Sequence, residues 1–174
     1  TLAEGHLPGV FEERDFYAIG LIDINGDHLP ELWATGLGML VWSENLGELE
    51  FSDWNIVYFK EEYPMECHSS FSFGDIDADG DLDAFVAHYG NWSESWLASV
   101  PTAPAEPALD ALWINDGAGG FDNGDEHLIG FSPVDAFTFV AGFWDVDQDG
   151  DGDLLTVNDY RFEYDWAQPV RLLM

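Results

Sequence analysis

The chain has 174 residues, 47% of them hydrophobic and 16% aromatic, which is enough apolar material for one domain with a real core and unlike a disordered acidic tail. Against 4 Lys and Arg stand 35 Asp and Glu, a formal net charge of -31. Such a field excludes nucleic acid and anionic membrane surfaces as partners, because binding either needs cationic side chains to neutralise phosphates, and it favours cations.

Cys67 is the single cysteine, so no intrachain disulfide forms, and Cys67-His68 lacks the further Cys and His ligands of a zinc site. It reads as a structural thiol. No apolar run approaches the roughly eighteen residues of a membrane span, so no membrane insertion is expected. A chain that begins Thr1-Leu2-Ala3 reads as a mature or excised piece.

Taken in chain order, the first predicted unit is repeat 1, about residues 12–60. It opens with the strand-like run Phe16-Tyr17-Ala18-Ile19 and continues through Asp23-Ile24-Asn25-Gly26-Asp27-His28-Leu29-Pro30-Glu31 into Leu32-Trp33-Ala34-Thr35. A second element, Met39 to Gly47, runs into an Asn-and-Gly turn.

Repeat 2, about residues 66–130, follows the same order. The run Ser69-Ser70-Phe71 precedes Gly74-Asp75-Ile76-Asp77-Ala78-Asp79-Gly80-Asp81-Leu82-Asp83, and Ala84-Phe85-Val86-Ala87 comes after it. Its second element, Ala111-Leu112-Trp113-Ile114-Asn115-Asp116-Gly117-Ala118-Gly119-Gly120-Phe121, resembles that of repeat 1. Between the two lies residues 91–110, which carry Pro101, Pro104 and Pro107 and read as a surface loop inserted into one repeat. Within the loop, Asn91-Trp92-Ser93 is a glycosylation sequon usable only in a secreted chain, and Trp92 and Trp96 offer rings on which a sugar could stack.

Repeat 3, about residues 134–174, holds Phe137-Thr138-Phe139-Val140-Ala141, then Asp145-Val146-Asp147-Gln148-Asp149-Gly150-Asp151-Gly152-Asp153, then Leu154-Leu155-Thr156-Val157. Pro169 to Met174 reads as the start of its second element, truncated before the turn. The first Asp of each acidic segment stands 52 residues (23 to 75) and then 70 residues (75 to 145) from the last, the excess falling in the inserted loop. Trp33, Trp42, Trp113 and Trp144 lie in strand patterns and are expected to pack in the core.

Asp at positions one, three, five and nine with Gly at six supplies hard oxygen ligands from a compact turn, and the carbonyl of position seven can add another. A divalent cation that accepts six to eight oxygens relieves the repulsion, and calcium suits this better than magnesium, which keeps a small octahedral shell with several waters. Soft metals would need thiolate or imidazole. The alternative is a solvated acidic turn, against which the threefold recurrence in one strand context argues. An EF-hand is excluded: position twelve is Ala34, Val86 or Thr156 instead of Glu, and the flanks are strands.

Strand, acidic loop, strand and then an Asn-Asp-Gly turn resembles the FG-GAP or VCBS repeat, the calcium-binding blade unit of integrin-α-like β-propellers. That resemblance implies an all-β fold of β-propeller-type blades, about three of them, forming a partial or oligomer-completed propeller, since three blades do not close a ring. It implies two to three calcium sites: Asp75, Asp77, Asp79 and Asp83 with the Asp81 carbonyl, and Asp145, Asp147, Asp149 and Asp153 with the Asp151 carbonyl. Repeat 1 departs from the pattern, with His28 at the Gly position and Glu31 at the last Asp, so Asp23, Asn25, Asp27 and Glu31 are expected to bind more weakly.

The function so implied is a secreted or cell-surface, calcium-rigidified scaffold for protein or glycan recognition and adhesion. The alternatives are a structural subunit of an extracellular fibre, self-assembling through blade edges, and a lectin or part of a polysaccharide-degrading enzyme. Catalysis is not expected: His6, His28, His68, His88 and His127 are scattered, and no nucleophile, base and oxyanion constellation can be assembled from them.

Overall fold

Each acidic segment folds the strand before it back onto the strand after it, so the β-branched and aromatic flanks pair locally. The computed structural model describes residues 16–59, 66–91, 110–128, 137–148, 152–159 and 170–173. Those residues form antiparallel sheets with no α-helix among them, only a 3-10 turn at Asp125–His127. Among the described residues, no helix is long and apolar enough to cross a membrane.

The three hairpins share one register. β1 (Phe16–Ile22) pairs with β2 (Glu31–Gly36), β7 (Glu66–Gly74) with β8 (Asp83–Asn91), and β11 (Phe137–Trp144) with β12 (Asp153–Asp159). In each, the residue before the first Asp lies opposite the ninth position: Ile22 and Glu31, Gly74 and Asp83, Trp144 and Asp153. The second elements add β3 (Met39–Ser43), β9 (Ala111–Asn115) and β13 (Val170–Leu173), each antiparallel to the strand that leaves the acidic loop. β13 takes the place beside β12 that β3 and β9 take in the other sheets.

The first sheet is completed by β6 (Asn55–Phe59), giving the order β1-β2-β3-β6, with a small hairpin of β4 (Asn45–Gly47) and β5 (Glu50–Phe51) beside it. The second runs β10-β9-β8-β7, where β10 is Phe121–Asn123, and the third β11-β12-β13. Asn45 pairs with Phe51 as Asn115 pairs with Phe121, so the two Asn turns are the same structure repeated.

The second sheet is packed between the other two. On one side Ile24, Trp33 and Leu40 meet Ala84 and Val86, with Phe73 set edge-on to Trp33 at a ring separation of 4.8 Å. On the other side Phe85, Ala87 and Leu112 meet Ala141 and Leu154, with Phe143 edge-on to Phe85. The sheets approach closely enough that a Cβ on Gly74 would stand 2.6 Å from the Phe143 ring. Polar ties cross the same gap: Thr138 Oγ1 donates to Asp110 Oδ2 (2.7 Å), and Asp110 Oδ1 accepts from the His88 amide (2.7 Å).

Cys67 is buried, as a structural thiol should be. Trp33 is fully buried and Trp42 and Trp113 are half-buried, but Trp144 is exposed. The expectation of a core Trp144 is therefore corrected: it stands on the face of the last sheet, where no further sheet covers it among the described residues. His88 lies inside β8, buried, with its ring centroid 4.0 Å from that of His68. Trp92, Trp96, Asp149 and Asp151 lie outside the described residues, and Asn91 is the last residue of β8.

Candidate cation-binding loops

The ninth-position carboxylate closes each acidic loop by accepting from the amide of the second position. Glu31 Oε2 takes the Ile24 N–H (2.9 Å), Asp83 Oδ2 that of Ile76 (2.8 Å), and Asp153 Oδ2 that of Val146 (2.7 Å). The bond holds the start of the loop against its end, and the buried Glu31, Asp83 and Asp153 are each at the first position of a strand. The first-position carboxylate organises the middle. Asp23 accepts from Gly26 and His28, and Asp75 from Asp79 and Gly80.

These bonds leave the carboxylates of positions one, three and nine facing one another. Oxygens of Asp75, Asp77 and Asp83 lie within 4.8 Å of one another, and so do those of Asp145, Asp147 and Asp153. Asp79, at position five of the second loop, is not among the clustered carboxylates. Asp79 Oδ1 instead accepts from the Asp81 amide (3.0 Å), as Asp27 Oδ1 accepts from Leu29 (2.7 Å), so this side chain braces the turn. In the first loop the corresponding residues are Asp23, Asn25 and Glu31, two carboxylates and a neutral amide.

The backbone turns left-handed twice in each fully described loop. Position six does so at His28 (φ 72°) and Gly80 (φ 99°), and position four at Gly26 (φ 74°), Ala78 (φ 60°) and Gln148 (φ 65°). Glycine meets the requirement at one of the two positions in each of the first two loops; Ala78 and His28 meet it at the other with a steric penalty.

Residues 23–86, from the first acidic loop through the second and into β8, match the family model of the FG-GAP-like repeat. That segment is similar to an FG-GAP-like repeat. No curated protein and no solved structure matches it.

A further residue fixes each of the first two loops from outside. Asn45 Nδ2 donates to the Pro30 carbonyl (3.0 Å) and Asn115 Nδ2 to that of Leu82 (3.2 Å), both at position eight, while each Oδ1 accepts from the glycine two residues on, Gly47 or Gly117. The sequence announces an Asn-x-Gly turn here but not this bond, which spans 33 residues in the second repeat. Asp81 folds over the same turn, its carboxylate filling the space a Cβ on Gly117 would need.

The donor set suits a hard cation, since every clustered side-chain atom is a carboxylate oxygen. Electrostatics point the same way. Burial raises the Asp83 pKa despite the Ile76 and Asn115 amides, with Asp77 and Asp79 adding repulsion, and burial likewise raises that of Glu31. Glu31 Oε1 is buried with no donor in hydrogen-bond geometry, where the matching oxygen of Asp83 receives the Asn115 amide (2.9 Å). A bound cation would supply the positive charge that these groups lack. By contrast, Asp116 is exposed and held below the usual carboxylate range by the Ala118 and Gly120 amides, so it caps its turn unaided.

Proposed function

We propose that this chain is a calcium-stiffened module of β-propeller-type blades that serves outside the cell as a scaffold for protein or glycan recognition. One observation carries the reading: in two loops, three carboxylates converge within 4.8 Å while one of them also pins the loop to its own strand. Calcium would be held by Asp75, Asp77 and Asp83, and by Asp145, Asp147 and Asp153, with Asp79, Asp149 and the Asp81 and Asp151 carbonyls completing the shells. Asp23, Asn25, Asp27 and Glu31 form the weaker third site, having one carboxylate fewer among positions one, three and nine.

Bound calcium neutralises repulsion inside the loop and so sets the direction in which each hairpin leaves it. Sites of this kind in extracellular modules work at millimolar to sub-millimolar calcium, which supports a role outside the cell. Titration calorimetry on chelator-treated protein is expected to show two to three calcium sites and weaker heats for magnesium. The melting temperature is expected to rise with calcium, each site contributing about 2.7 kcal/mol at a hundredfold excess over its Kd. Absent heats together with a melt indifferent to EDTA would overturn the proposal.

A further inference from the structure

Two adjacent residues of the first acidic loop have no counterpart in the other two. Its third position is Asn25, where the others carry Asp77 and Asp147, and its fourth is Gly26, where they carry Ala78 and Gln148. An asparagine followed by glycine is chemically labile, because the glycine amide nitrogen can close a five-membered ring on the asparagine side chain and no Cβ hinders the closure. Both residues are exposed here, and nothing lies within 4 Å of the place where a Cβ on Gly26 would stand.

The hydrogen bonds of the loop gather the parts of a reaction around that pair. The Gly26 N–H, which supplies the nucleophile, donates to Asp23 Oδ1 (2.8 Å), a carboxylate able to take its proton. The His28 N–H donates to the other Asp23 oxygen (2.9 Å) and holds this base in place. Asn25 Oδ1 accepts from the Asp27 N–H (3.0 Å), which polarises the amide carbon and meets the negative charge that develops on that oxygen during attack. The same dipeptide recurs at Asn123–Gly124 in a different setting. There the glycine is buried, its N–H is committed to the Leu112 carbonyl (2.8 Å), and the Ile114 and Leu112 side chains crowd its Cα.

We propose that Asn25 is a self-modification site: it deamidates without an enzyme, turning the two carboxylates and one amide at positions one, three and nine into three carboxylates. Asp23 takes the proton from the Gly26 nitrogen, which bonds to Asn25 Cγ; the Cγ–Nδ2 bond breaks, and ammonia leaves with that proton. Water then opens the cyclic imide. Addition at Cγ leaves an aspartyl side chain at position 25, whereas addition at the backbone carbonyl leaves an iso-aspartyl link, one methylene longer in the main chain. The net change is amide plus water to carboxylate plus ammonium, with nothing oxidised or reduced. The aspartyl product matches the Asp75–Asp77 and Asp145–Asp147 pattern, whose carboxylates converge with the ninth position. Its effect on calcium rests on the cation reading above; the covalent step does not.

Peptide mass spectrometry on the full chain, held in chelator at neutral pH and physiological temperature, tests the proposal. Position 25 is expected to change from amide to acid, with ammonia released in step, while position 123 keeps its amide. In urea, which removes both environments, the two are expected to convert alike, and position 25 more slowly than in the folded chain. Asp23→Asn, which removes the base, is expected to slow conversion at position 25 by about tenfold or more. If circular dichroism shows that this variant loses its strands, the ratio of folded to urea rates in wild type decides the matter by itself. An amide retained at position 25, equal conversion at 25 and 123 in the folded chain, a folded rate below that in urea, or an unslowed folded Asp23→Asn would each overturn self-modification. Asn25→Asp, made directly, is expected to bind calcium more tightly at the first loop by calorimetry than freshly prepared wild type. Unchanged heats would overturn the consequence for the cation; no heats from either protein would count against the cation reading and leave the covalent result standing.

Discussion

At the scale of single residues, Asp83 and Asp77 separate two roles that a count of carboxylates would merge. Asp83 is buried and each of its oxygens accepts a backbone N–H, from Ile76 and from Asn115. Asparagine there has one acceptor oxygen, so Asp83→Asn leaves a buried N–H facing an amino group at a cost of about 1–3 kcal/mol even in chelator. Asp77 is exposed, and no backbone amide among the described residues donates to it. Asp77→Asn is therefore expected to leave the chelated protein's urea midpoint unchanged and to lower calcium affinity alone.

The same buried carboxylates set a pH dependence. The Glu31 and Asp83 pKa values are raised by burial, so the folded state holds protons more tightly than the unfolded chain. Their contribution is fully present below the unfolded pKa values and is lost as pH rises through the raised folded ones. Chelated protein should accordingly gain stability in urea as pH falls from neutrality into the carboxylate range, and Glu31→Gln should flatten that profile. With calcium bound the sign reverses, because protons then compete with the cation.

At the scale of the element, the hairpins were legible because three copies of one charge spacing sat between runs of β-branched and aromatic residues. The ninth position pairs with the residue before the first Asp in all three, so the loop length that aligns the repeats also fixes their register. Less legible was the second left-handed position. Ala78 and Gln148 adopt it without the glycine that would have signalled it, because the loop's hydrogen bonds, and not local preference, decide the turn. The Asn115 bond to Leu82 was illegible for another reason: it joins segments separated by an insertion, and no periodicity links them. Nor does a strand pattern say whether a neighbouring sheet exists, which is why Trp144 was misplaced.

His28 tests the element directly. Its φ of 72° puts a side chain where glycine is favoured, and its ring is almost wholly exposed, 3.7 Å from Asp23 Oδ2. The left-handed conformation costs a non-glycine residue about 1–2 kcal/mol, and the extra backbone entropy that glycine loses offsets about 0.5–1 kcal/mol of that. His28→Gly is thus expected to raise the urea midpoint modestly. A fall would mean that the imidazole near Asp23 holds the loop more than its backbone strain weakens it.

At the scale of the whole molecule, two opposed forces act on the stack. Aromatic and aliphatic side chains draw the three sheets together, while a formal charge of -31 pushes them apart. Screening relieves the repulsion without occupying a site, since the Debye length falls to about 10 Å at 0.1 M salt. Sodium chloride should therefore raise the melting temperature of chelated protein. Under the proposed coordination, calcium adds site binding to the same screening, so at matched ionic strength it should raise the melt further than sodium or magnesium, and saturably. The excess should vanish stepwise in Asp77→Asn and Asp147→Asn, each of which removes one carboxylate from a different loop but only one unit from the total charge. Were the calcium and sodium curves to coincide at equal ionic strength, the loops would be acidic turns stabilised by screening alone.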